Sequence, residues 1–136
     1  MNIVLQTHAV DPAFALRNCR RPDAQTFECE LCVRSAGFLV ERVFYFEEPD
    51  FSRFCDQLVK MDRTLSGIAE LQTRYEENGF RFEVHATGTV IVSGTVREYG
   101  AMDQFLRFSF ITDQTVLTPF SRDLAQLLLL QPPNDH

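Results

Sequence analysis

A chain of 136 residues is the length of one domain and can bury a core without disulfide or metal staples. With 19 acidic residues against 13 basic ones and a net charge of −6, it lacks the clustered positive charge that a phosphate backbone demands, which argues against direct nucleic-acid binding. No apolar run approaches the roughly 20 residues needed to span a bilayer, and Met1–Gln6 has neither the basic start nor the apolar stretch of a secretory leader. The expectation is a cytoplasmic protein, away from membranes, with reduced thiols.

The 13 phenylalanines, beside no tryptophan and 3 tyrosines, predict a core built from Phe rings between strands and helices. Ile3 to Thr7 reads as a short strand that Asp11-Pro12 breaks. The Phe14 to Asp23 segment, with Arg17, Arg20, Arg21 and Pro22, reads as an irregular loop. Thr26 to Arg34 alternates, with Phe27, Cys29, Leu31 and Val33 on one face and Glu28, Glu30, Cys32 and Arg34 on the other. Ser35-Ala36-Gly37 turns the chain into a β-branched and aromatic run, Phe38 to Phe46, and the two runs form a hairpin.

Glu47-Glu48-Pro49-Asp50 opens a helix over 50–66, with Asp50 as a capping residue. Its apolar stripe holds Phe51, Phe54, Cys55, Leu58, Met61 and Leu65, interrupted only by Asp62. Gly67 ends it. Ile68 to Tyr75 alternates again, and Asn78-Gly79 predicts a tight turn into the strand of Phe80, Phe82 and Val84. Thr87-Gly88 leads into Val90, Val92 and Val96, with Gly94 among them as a bulge or a point of close helix approach. Glu98 to Asp103 reads as a loop. Leu106, Phe108 and Phe110 point inward from the last strand. Thr118-Pro119 reads as the cap and first turn of a final helix carrying Phe120, Leu124, Leu127 and Leu128, which Pro132-Pro133 stops.

The predicted order is β-β-β-α-β-β-β-β-α, without internal repeat. Short connections pair neighbouring strands antiparallel. The expected fold class is α+β: one antiparallel sheet of six to seven strands, two helices on one face and the other face bare.

The sequence holds no constellation for catalysis. Cys29-x-x-Cys32 lies in a predicted strand, which sends the thiols to opposite faces, and Cys19 and Cys55 supply no matching metal spacing. His8, His85 and His136 are scattered. His85, Glu83 and Arg107 read as a cross-strand charge ladder on a wet face. Glycine-rich phosphate loops and nucleophile elbows are missing. The residues describe a binder that needs no cofactor and no metal, rather than an enzyme.

Three ordered pieces resemble a known family. These are Leu65-Ser66-Gly67 running into Ile68-Ala69-Glu70-Leu71, the strand Gly88-Thr89-Val90-Ile91-Val92-Ser93-Gly94, and Phe105 to Thr115 with Leu117 and Phe120 after it. The Asp113-Gln114-Thr115 step is the most specific piece. Over about Thr26 to Leu130 the chain resembles the WapI-type immunity proteins of bacteria. That resemblance implies a cytosolic protein that neutralises the C-terminal domain of a wall-associated polymorphic toxin, typically a nuclease acting on tRNA. The Arg-rich Phe14 to Asp23 segment falls outside the pattern.

The matching residues Ser66, Gly67, Gly88, Gly94, Asp113, Gln114 and Thr115 read as turn and core positions, with Asp113 and Gln114 bracing the turn into the last helix. If the resemblance holds, an acidic protein covers a basic toxin surface. The candidate contacts are Glu28, Glu30, Glu83, Tyr99, Asp103 and Phe105 on the open sheet face and its loops. Outward Ile91, Phe105 and Ile111 also fit a general interaction module or a homo-oligomer. A hydrolytic site around His85 or Cys29 would need a deep pocket.

Overall fold

A computed structural model describes residues 1–73, 78–85, 87–98 and 102–133. Among them the elements in chain order are β1 (Ile3–Leu5), β2 (Ala13–Asp23), β3 (Thr26–Ser35), β4 (Phe38–Glu47), α1 (Glu48–Thr64), β5 (Gly67–Gln72), β6 (Gly79–Val84), β7 (Thr89–Glu98), β8 (Gln104–Asp113) and α2 (Leu117–Leu128). Four strands and a helix are followed by four strands and a helix. This repeated topology has no counterpart in the residue pattern.

The single sheet of six to seven strands is corrected on two counts. There are eight strands among the described residues, in two four-stranded antiparallel sheets ordered β1-β2-β3-β4 and β5-β6-β7-β8. β4 and β5, which flank α1 in the chain, do not pair. The added strand is β2, the segment read as a loop. It pairs with both β1 and β3, and two register shifts interrupt it, between Arg17 and Arg20 and between Arg20 and Asp23. Asn18 takes a positive φ of 50° there, so Cys19 rather than Asn18 turns inward. That shift breaks the alternation after a single period, which is why the segment does not read as a strand.

The inner faces of both sheets and the apolar stripes of both helices join one core cluster. α1 packs chiefly on β5 and α2, and α2 on α1 and β1. Nine phenylalanines form one connected ring network. Phe14 stands at a crossing point, edge-on to Phe80 at 5.1 Å, Phe82 at 5.5 Å and Phe120 at 5.9 Å. It therefore ties β2 of one sheet to β6 of the other and to α2, with each such pair adding about 0.5–1.5 kcal/mol beyond area burial. Gly94 sits opposite Phe80 and Phe108 in unbroken register. A Cβ there would lie 2.5 Å from Phe108 Cζ and 2.6 Å from the Gly79 carbonyl oxygen. The glycine thus admits a ring and a neighbouring backbone, where a bulge or a helix contact was expected.

The helix ends also differ from expectation. α1 begins after Glu47 without a side-chain cap, and Asp50 sits buried in the first turn, paired with Arg53 at 3.2 Å. Leu65, with φ 53°, caps its C-terminus, and Gly67 opens β5. Thr118 lies inside α2, and its hydroxyl donates to both carboxylate oxygens of Asp62 at 2.8 and 3.0 Å. The one polar residue on the α1 stripe thereby clamps the two helices. Arg21 reaches from β2 over the Phe27 ring and donates to the Leu130 and Leu128 carbonyls at 3.1 and 3.4 Å, closing the end of α2.

Phe14→Ala should cost about 3–5 kcal/mol, the usual loss for a buried phenylalanine. In denaturant titration its midpoint should fall far below that of the parent, while exposed Phe38→Ala leaves the midpoint within about 0.5 kcal/mol.

Candidate functional site

Strand alternation sends every second side chain outward, and each sheet presents an outer face whose residues are mostly exposed or half-exposed. On the first sheet the register aligns Arg20, Glu28 and Tyr45 in one row and Arg17, Glu30 and Val43 in the next. Ala15, Cys32 and Glu41 form the third row, and Ala13, Arg34 and Leu39 the fourth. Arg20 grips the Glu28 carboxylate through two nitrogens. That hydrogen bonding holds the Glu28 carboxyl below its ordinary range, and in return Glu28 pushes the Tyr45 hydroxyl upward.

The second sheet carries Ile68, Glu83, Ile91 and Ile111 in one row and Glu70, Arg81, Ser93 and Ser109 in the next. Arg81 pairs with Glu83 at 3.3 Å, and His85 Nε2 lies 3.9 Å from the same carboxylate. Arg107 belongs two rows away and stands over the Phe105 ring at 5.8 Å. The charge ladder therefore holds Arg81 in the place expected for Arg107. Beyond β7, Arg97 binds Asp103 at 2.7 Å and lowers its carboxyl from the ordinary value.

The six acidic and aromatic candidates thus do not share one face. Glu28 and Glu30 lie on the first sheet, Glu83 and Phe105 on the second, and Asp103 in the connection before β8. Tyr99 lies outside the described residues. Sequence reading passed over Leu39, Val43 and Tyr45, which line the outer side of β4 with about half of each side chain exposed. Their signal was present: Phe38 to Phe46 is apolar on both parities, which a strand with one wet face does not require.

Asp113 Oδ1 accepts the Thr115 amide at 2.8 Å and starts the 3-10 turn of Gln114–Val116. The Gln114 amide donates to the Gly88 carbonyl at 3.0 Å, and the Gln114 side chain lies over Gly88, whose φ is +81°. The motif thereby locks the β6–β7 turn to the entry of α2. Ser66 donates to the Thr64 hydroxyl at the exposed end of α1.

The four cysteines are free and buried. Cys29 faces the core and Cys32 the outer side. Burial, followed by the Glu30 carboxylate, pushes the Cys32 thiol up to about 11, and burial pushes Cys55 up to about 12. Raised in this way, the Cys32 and Cys55 thiols stay protonated near neutral pH and are poor nucleophiles. An open groove of about 640 Å3 runs between α1 and β5, lined by Asp50, Arg53, Gln57, Ile68, Glu70, Gln72 and Thr73. A shallower one of about 400 Å3 crosses the second outer face. Neither is lined by His85 or Cys29. Among the described residues no group of three metal-ligating side chains comes together, and no helix is long and apolar enough to cross a membrane.

A family model described as the immunity protein WapI-like family matches residues 9–132. No curated protein matches the chain. A solved structure titled as crystal structures of Trypanosoma bruciei MRP1/MRP2 superposes with a TM-score of 0.54, covering 94% of this chain and 82% of that one. At 14% identity the likeness is one of fold.

At about pH 8 a thiol reagent should react with the native protein only at the rate of its unfolding, whereas denaturant should expose all four cysteines at once. A folded carboxyl held low gives stability above its unfolded pKa and loses it as pH falls through the folded value. The stability gap between the parent and Glu28→Gln should therefore be widest near neutrality. It should close on acidification below the ordinary carboxylate range, as read by chemical denaturation at each pH.

Proposed function

The chain belongs to the immunity protein WapI-like family, and on that premise we propose that it neutralises the toxic C-terminal domain of a polymorphic toxin by stoichiometric occlusion. The family match over residues 9–132 carries this reading. The partner is a basic, nuclease-like domain, and the immunity protein blocks the entry of its substrate in the bacterial cytoplasm. Three observations support docking over turnover. The outer faces of both sheets bear exposed charged and apolar side chains instead of a helical roof. The grooves are open, and neither is lined by His85 or Cys29. The net charge of −6 favours fast encounter with a basic surface, whose rate falls as salt screens it.

Co-expression with the toxin domain encoded beside this gene should restore growth, and the purified pair should form a one-to-one complex. Its association rate should drop by about tenfold or more from low to high salt while dissociation changes little. Growth arrest despite good expression of the immunity protein would refute the reading.

A further inference from the structure

Each four-stranded sheet has two edges, and natural proteins cover or blunt such edges because unpaired backbone groups recruit other strands. Three of the four edges are managed. β1 is only three residues long and α2 packs on it. β5 runs beside α1, and Gln57 Oε1 accepts the outward Glu70 amide at 3.1 Å. β8 is met near its middle by the turn end of β3, where the Ser35 hydroxyl donates to the Ser109 carbonyl at 3.4 Å. Among the described residues β4 has none of these backbone devices, although its Arg42 side chain pairs with Glu98 of β7. β4 is ten residues long and pairs with β3 alone.

Hairpin geometry fixes which backbone groups are left over. Ala36 and Gly37, both at positive φ, form a two-residue turn closed by Ser35 and Phe38. The closing pair exchanges its hydrogen bonds across the hairpin, and alternate pairs do so thereafter. Leu39, Glu41, Val43 and Tyr45 therefore aim their amides and carbonyls away from β3. The same residues send their side chains to the outer face, where Leu39, Val43 and Tyr45 are exposed. The charge on that side of β4 is Glu41; on the next strand Glu30 stands beside Val43, Arg34 stands beside Leu39, and Glu28 is occupied by Arg20.

We infer that the open edge of β4 receives an extended strand of the protein partner, one that alternates apolar and basic residues, and extends the first sheet to five strands. The main chain of the incoming strand supplies the hydrogen bonds. Its apolar residues cover Leu39, Val43 and Tyr45, and its basic residues meet Glu41 and Glu30. A second copy of this chain fits less well: the antiparallel register that satisfies all four β4 residues sets Glu41 against the copy's Val43 and brings no basic side chain to it, since Arg42 points inward and is already paired with Glu98. The inference rests on the toxin-binding reading for the identity of the partner, yet it is testable without the toxin.

The probe is a synthetic peptide of alternating valine and lysine as long as β4, ten residues, with a valine–glutamate peptide as control. Hydrogen exchange on the full chain should show the amides of Leu39, Glu41, Val43 and Tyr45 open in the free protein and protected by the lysine peptide. Val43→Pro removes only an edge-facing amide, so the melting temperature should hold while binding weakens by about tenfold or more. Glu41→Lys, which leaves the backbone untouched, should weaken the lysine peptide and strengthen the glutamate one. Absence of binding, protection mapped to β5 or β8, or full binding by both variants would overturn the inference. So would a homodimer already protecting these amides in the free protein. Failure of the toxin co-expression test with success here would reject the named partner and leave the edge as a docking site.

Discussion

The structure depends on one aromatic crossing. Phe14 on β2 meets Phe80 and Phe82 on β6 and Phe120 on α2, and through Phe80 and Phe82 the network reaches Phe54 on α1 and Phe46 on β4. Neither sheet can bury its inner face alone: four strands with one apolar side need a second layer. The two strand-strand-strand-strand-helix units supply that layer to each other. Gly94 opens room for Phe108 in the same layer, and the Asp62–Thr118 and Arg21–α2 contacts hold the helices where the rings need them. Because the rings draw both helices to the core side, neither outer face is roofed by a helix among the described residues.

Most local structure was legible in the residues. Alternation located seven strands and helical spacing located both helices, with ends displaced by a few residues. Two things could not be read. The strand β2 hid behind a register shift at Asn18, an Arg-rich outer face and Pro22 near its end. The division into two sheets hid because pairing is a tertiary choice: nothing in Phe38–Glu47 or Gly67–Gln72 states that these strands avoid each other. The Arg-rich segment, which the sequence resemblance left out but the family match over residues 9–132 includes, turned out to carry the ring that joins the halves and the guanidinium that closes α2. The Asp113-Gln114-Thr115 step has local meaning, since an Asx-type bond and a glycine contact act within a few residues of the motif.

The separation of the two outer faces changes how docking is understood. Acidic and aromatic residues that would form one patch on a single sheet stand on two separate sheets, so a partner docked as proposed would engage one of them. The first face offers an unguarded strand edge beside exposed Leu39, Val43 and Tyr45. The second offers Ile68, Ile91 and Ile111 in a row across a ladder whose charges are already paired. In the proposed complex, acidic charge would set how fast a partner arrives, whereas backbone pairing and apolar cover would set how long it stays.

The dependence of both halves on one shared core is tested most directly by cutting the chain at the α1–β5 junction. Residues 1–66 and 67–136 should each lack a cooperative denaturant transition when purified apart. Mixed, they should regain one, together with the near-ultraviolet dichroism of packed rings. A sharp, native-like transition from the first half alone would show that its sheet is stable without Phe80, Phe82 and Phe120, and would contradict the account.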